Sequence, residues 1–161
     1  MEGIKIRRMT HDDLREVLNI ENTCSPAPWS ENSFKYEIDN RETILKVAVL
    51  HGKIAGYVCL RTILDITHVL NIKVLPEFRR RSIGTLLLGN ALKELKILKP
   101  DFESVTLEVR ESNSSAIELY KKFGFKVTGK RIGYYKQPPE NAVIMELRQP
   151  EVGASKRARR V

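Results

Sequence analysis

The chain has 161 residues, 42% of them hydrophobic and 30% charged, with a formal net charge of +8. That composition suits one globular domain able to bury a core without disulfides or metals, and no apolar run approaches the roughly 18 residues that would cross a bilayer. The first residues lack the apolar segment of a signal peptide, and Cys24 and Cys59 have neither CxxC spacing nor neighbouring histidines, so reduced thiols, no bound metal, no membrane and a cytoplasmic location are expected.

Ile4–Met9 alternates apolar and basic residues and predicts a first strand. Thr10 then opens a helix, with Asp13 in capping-box position and Leu14, Val17 and Leu18 as its buried stripe. Ser25-Pro-Ala-Pro28 is a loop. Ser30 is placed to cap a second helix, and Trp29 and Phe34 have the spacing of a hydrophobic staple. Thr43–Leu50 and Lys53–Thr62 are β-rich runs joined at His51-Gly52, a hairpin signal. Ile66–Leu75 is a further strand. A helix follows from about Gly84 to Leu98, with Leu88, Ala91, Leu92 and Leu95 on one face.

Ser104–Arg110 is a strand with Val105, Leu107 and Val109 on one side and Thr106, Glu108 and Arg110 on the other. A short helix from about Ser114 to Phe123 stops at Gly124, a left-handed cap. Phe125–Tyr135 and Asn141–Arg148 are two last strands. The expected fold is α/β (α+β): one mixed, largely antiparallel sheet of about seven strands with about four helices packed on it. The strands flanking the Gly84–Leu98 helix should be parallel, because a crossover helix joins them. The domain is expected over residues 1–149. Residues 150–161 form a basic tail expected to be disordered, with Lys156, Arg157, Arg159 and Arg160 against Glu151.

Two segments carry chemistry. The first runs from Leu70 through Arg79-Arg-Arg-Ser-Ile-Gly-Thr85 to Leu88, as strand, basic loop and helix. A helix N-terminus offers unpaired N–H groups and a positive dipole end, and arginines add charge-assisted hydrogen bonds, so this loop can cradle a phosphate. It is neither a Walker loop nor a dinucleotide-binding glycine fingerprint; alone, it reads equally well as a solvated basic turn. The second segment is Leu107 to Phe125. There Asn113 either caps the following helix or hydrogen-bonds a ligand, Tyr120 sits on an apolar stripe with Ala116 and Phe123, and Glu108 faces away from the core.

Together the two segments resemble the GCN5-related N-acetyltransferases, and within them the ribosomal-protein alanine N-acetyltransferase branch with its archaeal N-terminal acetyltransferase relatives. The resemblance covers nearly the whole chain. It is strongest from Leu70 to Gly124 and continues through Gly133-Tyr-Tyr135 and Ala142-Val-Ile-Met145. The family's loop pattern Q/R-x-x-G-x-G/A stands here as Arg79-Arg-Arg-Ser-Ile-Gly84, and the more specific LEVRxSNxxAIxLYxxxGF is matched from Leu107 to Phe125 without a gap. Ser82 occupies the place of the usual first glycine. The expectation is that this position needs no positive φ, so that Ser82→Gly changes cofactor affinity little.

The resemblance implies acetyl-CoA as co-substrate, bound between the two central parallel strands. It implies that Ile72, Lys73 and Val74 pair by backbone with the pantetheine arm. Arg79, Arg80, Arg81, Ser82, Ile83, Gly84 and Thr85 would then hold the pyrophosphate, and Asn113 and Tyr120 would help hold the cofactor. It further implies Glu108 as general base and Tyr120 as general acid. An α-amine has a pKa near ~7.7–8.0 against ~10.4 for lysine, so a carboxylate base suffices for an N-terminal acceptor. A backbone N–H near Val74, freed by a bulge, would serve the oxyanion.

The acceptor is expected to be a protein or peptide N-terminus, with ribosome association among the readings and with no sequence-specific nucleic-acid binding. Trp29, Glu31, Tyr134 and Tyr135 are its candidate contacts. For Glu31 a helix-starting role is the favoured one, and Tyr135 reads equally as a strand aromatic. Lysine, polyamine or aminoglycoside acceptors, a basic ribosome- or nucleic-acid-binding module, and a non-catalytic acyl-CoA sensor are the alternatives.

Overall fold

The capping signals set the first elements. In the computed structural model, which describes residues 3–149, β1 (Ile4–Arg8) ends at Thr10, whose backbone N–H donates to the Asp13 carboxylate at 2.8 Å. Arg7 grips the same carboxylate through both guanidinium nitrogens, each at 2.8 Å. This pairing holds the Asp13 carboxyl below its ordinary range. A single 3-10 turn, His11–Asp13, leads into α1 (Leu14–Cys24). The Ser30 hydroxyl accepts the Ser33 N–H at 3.1 Å and starts α2 (Glu31–Asp39), and Trp29 meets Phe34 with ring centres 5.2 Å apart. Both the cap and the staple stand as the sequence predicts.

The remaining elements are β2 (Thr43–Leu50), β3 (Lys53–Ile63), β4 (Ile66–Val74), α3 (Ile83–Leu98), β5 (Ser104–Arg110), α4 (Ser114–Lys122), β6 (Lys126–Lys136) and β7 (Pro139–Arg148). His51 and Gly52 both take positive φ, which fits the tight β2–β3 turn. The seven strands form one sheet in the order β1-β2-β3-β4-β5-β7-β6. β4 and β5 run parallel, with Ile66–His68 against Ser104–Thr106, as expected of strands joined by a crossover helix. The last hairpin differs in its bounds. Its strands reach Lys136 and Pro139, so the loop expected over Gln137–Asn141 shrinks to a tight turn. The basic tail expected over 150–161 lies outside the described residues.

The chain divides into two compact units, residues 3–61 with Leu70–Glu94, and Thr62–Val69 with residues 95–149. The first packs Met9, Leu14, Val17, Ile20, Phe34, Val47, Tyr57 and Leu75 into one core. Inside it lies a carboxyl group that the periodicity did not single out. Glu21 is 1% exposed. It accepts the Tyr57 hydroxyl at 2.5 Å, the Asn71 amide at 3.2 Å and the Trp29 backbone N–H at 2.9 Å. One side chain thereby joins α1, β3, β4 and the turn into α2. In the second unit Val105, Leu107 and Val109 of β5 are buried with Tyr120, Phe125 and Met145.

Replacing Glu21 by leucine would take the acceptor from the buried Tyr57 hydroxyl and from the half-buried Trp29 N–H, each worth about 1–3 kcal/mol when unpaired, while the Asn71 amide keeps the Tyr57 oxygen at 2.7 Å. The expected outcome is a loss of at least about 2 kcal/mol, read as a fall of roughly 6 °C in thermal midpoint for a chain of this size. Glu21→Gln, which keeps an acceptor oxygen, should lose less.

Candidate active site

The loop between β4 and α3 is built from backbone conformation more than from side chains. After a 3-10 turn at Pro76–Phe78, Arg80 and Ser82 adopt φ of 63° and 61°. Left-handed residues of this kind can turn neighbouring N–H groups toward one side, as in anion-binding nests. The Ser82 carbonyl accepts the Leu86 N–H at 3.0 Å and so closes the first turn of α3. The N–H groups of Ile83, Gly84 and Thr85 therefore belong to the turn that has no intrahelical acceptors. The expectation for Ser82 is corrected here: the position does require positive φ, and serine holds it at a steric cost of about 1–2 kcal/mol.

The other loop residues divide by role. The Arg79 guanidinium turns back on the strand end, its Nε donating to the Val74 carbonyl at 2.9 Å and Nη2 reaching Cys24 Sγ at 3.6 Å. Arg81 lies 5.8 Å from the Phe78 ring centre. The Ile83 side chain is buried at 1% exposure, so Ile83 presents no side chain at the loop surface. Ile72, Lys73 and Val74 are half-buried at the end of β4. A Cβ on Gly56 would stand 2.6 Å from the Lys73 carbonyl oxygen, so only glycine lets β3 pass this close.

In the same unit Trp29 lines a cleft of about 450 Å³ together with Asn32, Ser33, Tyr36, Arg61 and Leu70. Arg61 pairs with Glu37 at 2.7 Å, while its Nε is buried without a hydrogen-bond partner in the described structure. Glu31 lies elsewhere. It opens α2, sits 3.7 Å from Lys35, and borders a different depression with His11 and Asn19. The sequence-predicted pair Trp29 and Glu31 is thus divided between two surfaces.

The second unit gathers the remaining candidates. Strand alternation leaves Thr106, Glu108 and Arg110 half-buried on one face of β5. The Glu108 carboxylate lies 3.6 Å from the Arg131 Nε on β6. The Asn113 side-chain oxygen accepts the Ala116 N–H at 3.3 Å, so the capping alternative holds for that oxygen. Tyr120 is 5% exposed, with its ring 5.6 Å from that of Phe125. Burial, and secondarily the neighbouring Tyr135, push its phenol above the usual range. Tyr135 is likewise raised by burial, with Tyr134 and Glu108 adding to the effect and Arg110 opposing it.

Tyr134 and Tyr135 owe their placement to an irregular pairing. Arg131 lies opposite Ala142 and Tyr135 opposite Glu140, so β6 carries extra residues around Gly133. Gly133 takes φ 64°, and its N–H donates to Asn141 Oδ1 at 2.8 Å. The two tyrosine rings meet nearly at right angles, 5.1 Å apart. Arg110, Arg131 and Glu140 complete this group. Sequence reading passed over them because a charged residue on the open face of a strand looks the same whether it is solvated or engaged. The sole signal was that Arg110 shares a face with Glu108.

Comparison with known proteins now bears on this arrangement. The family model described as "Acetyltransferase (GNAT) family" matches residues 14–125. A ribosomal protein bS18-alanine N-acetyltransferase of Haemophilus influenzae is 35% identical over 136 residues, spanning 83% of this chain and 90% of that protein. An N-alpha-acetyltransferase of Sulfurisphaera tokodaii is 33% identical over 153 residues, covering 88% and 90%. The crystal structure of the ribosomal-protein-S18-alanine N-acetyltransferase from Escherichia coli superposes with a TM-score of 0.81 at 31% identity, covering 90% of this chain and 93% of that one.

Ser82→Gly should relieve the left-handed strain, partly offset by a more flexible unfolded chain. A net gain of about 0.5–1 kcal/mol is expected, read as a rise of roughly 2 °C in thermal midpoint. Coenzyme A affinity should change less than about threefold, because serine and glycine hold the same loop conformation. A separate test follows from the raised phenols of Tyr57 and Tyr120. In the unfolded chain both would ionise near ~10, whereas the folded chain keeps their protons. Their stability contribution is therefore complete below about pH 10 and declines as pH rises further. Thermal melts between pH 9 and 11 should show that slope, and Tyr120→Phe should flatten it.

Proposed function

Because the chain belongs to the GNAT acetyltransferase family, we propose that it transfers the acetyl group of acetyl-CoA to the N-terminal α-amine of a protein. The observation that carries the reading is the Glu108 carboxylate, held half-buried near Tyr135 and facing a cation in Arg131. A carboxylate that receives a guanidinium is suited to receive an ammonium from an acceptor. The relatives named as ribosomal-protein alanine and N-alpha acetyltransferases support the same acceptor class.

In this reading the arginine-rich loop and the first N–H groups of α3 hold the pyrophosphate, chiefly by backbone. Arg80 and Arg81 add charge, and Arg79 keeps the loop tied to Val74. Ile72 to Val74 supply strand-like backbone partners to the pantetheine arm, and the amide of Asn113 contributes to cofactor binding. The thioester is already activated, so positioning supplies much of the rate. Glu108 takes the proton that the ammonium must lose, directly or through water. At pH 7 roughly a tenth of α-amines are neutral, against well under a thousandth of lysines, which is why a carboxylate is base enough.

Tyr120 supplies the proton for the departing thiolate. Its raised pKa keeps that proton in place at working pH but makes the phenol a weaker acid than a free tyrosine. A thiolate released beside the same buried ring is also poorly solvated and correspondingly more basic, so the two pKa values move together. Trp29, Tyr134 and Tyr135 contact the acceptor, and Glu31 serves the start of its helix. The acceptor includes ribosomal or nascent polypeptides, and the tail from 150 to 161 is dispensable for chemistry.

Turnover with acetyl-CoA on peptides bearing a free N-terminus, compared with the same peptides blocked there and carrying a lysine, is the direct test. Free N-termini should react and blocked peptides should not; activity on blocked peptides alone would replace the acceptor by lysine. Glu108→Gln and Tyr120→Phe should each lower kcat by about 10²-fold or more with the fold intact. Unchanged turnover in both would remove them from the chemistry.

A further inference from the structure

Arg110 makes a set of contacts that a surface arginine does not need. Its Nη2 donates to the Gln137 carbonyl at 2.9 Å, and its Nη1 donates to the Pro138 carbonyl at 2.9 Å and to Glu140 Oε1 at 3.3 Å. The guanidinium carbon lies 4.2 Å from the centre of the Tyr135 ring. The other oxygen of Glu140 accepts the Ser112 N–H at 2.6 Å. Both partners of the ion pair are about four-fifths buried, at 22% and 20% side-chain exposure. One guanidinium therefore spans the end of β5, the β6–β7 turn and an aromatic ring, and Glu140 ties that turn to the residues just before α4.

We infer that Arg110, with Glu140, is a positioning residue for the acceptor: it fixes the turn that presents Tyr135, and acts on the acceptor only through that ring. The inference rests on the acceptor role proposed above for Tyr134 and Tyr135. The extra residues around Gly133 leave β6 without regular pairing between Arg131 and Tyr135, so the strand alone does not fix the ring. Tyr135 next pairs with Glu140, the residue that Arg110 holds. A lysine cannot replace this arginine. Its single ammonium lacks the planar fork that reaches two carbonyls and a carboxylate while lying over a ring.

The test is steady-state kinetics on the full chain with an N-terminal peptide and acetyl-CoA varied in turn. Arg110→Lys should raise KM for the peptide about tenfold or more, with KM for acetyl-CoA within twofold of wild type. Glu140→Gln, which keeps the bonds to the two carbonyls, should raise the peptide KM about threefold and serves if the first variant does not fold. In a Tyr135→Ala background, Arg110→Lys should add nothing further to the peptide KM, because the two act as a unit. Both KM values rising together, an unchanged peptide KM in either folded variant, or full additivity with Tyr135→Ala would each overturn the inference. Absence of wild-type turnover on every peptide would instead overturn the acceptor assignment and the inference with it, so the two failures are distinguishable.

Discussion

A buried carboxyl group has to be satisfied where it lies, and Glu21 is satisfied by three different elements. Its partners are a tyrosine of β3, an asparagine of β4 and the backbone of Trp29. Leaving any of these donors unpaired in the core would cost more than an ordinary hydrogen bond gains. The group therefore fixes α1 against two strands and sets the start of the chain's path into α2. The Trp29–Phe34 contact and the T-shaped approach of Phe34 to Tyr57 are packed around it. Trp29, at the edge of a cleft, inherits its position from a carboxylate buried in the core.

The arginine-rich loop between β4 and α3 shows a different economy of means. Its three arginines suggested recognition by side chains, yet one of them is spent on holding the loop to the end of β4. Two non-glycine residues of the loop, Arg80 and Ser82, sit in left-handed conformation. Strain of this kind persists only where the surroundings over-determine the backbone. Here the 3-10 turn on one side and the first turn of α3 on the other do so. Gly56 contributes from the neighbouring strand, since any larger residue would push against Lys73 and Val74.

On the open face of β5, the candidate residues also make the packing contacts. Glu108 and Arg110 are two positions apart and so project to the same side. One meets Arg131, the other the β6–β7 turn, and Tyr135 stands close enough to feel the charge of both. Tyr120 is a core aromatic of the second unit, and its burial raises the phenol's pKa and keeps the proton on it.

The sequence by itself determined the order of eleven elements, the caps at Thr10, Ser30 and Gly124, the Trp29–Phe34 staple, and the parallel relation of the strands flanking α3. It also determined which side of β5 bears Glu108. These follow from period, capping chemistry and crossover geometry, which act over a few residues or through chain connectivity. Tertiary structure alone decided the left-handed Ser82, the burial of the Ile83 side chain, the inward turn of Arg79 and the separation of Glu31 from Trp29. It alone decided that Tyr57 and Asn71 meet Glu21 across 36 and 50 residues, and that Arg110 meets the carbonyl of Gln137 across 27. The physical reason is common to these cases. A polar or charged side chain carries the same local signature whether water or a distant residue satisfies it, and only the folded chain brings the distant partner within reach.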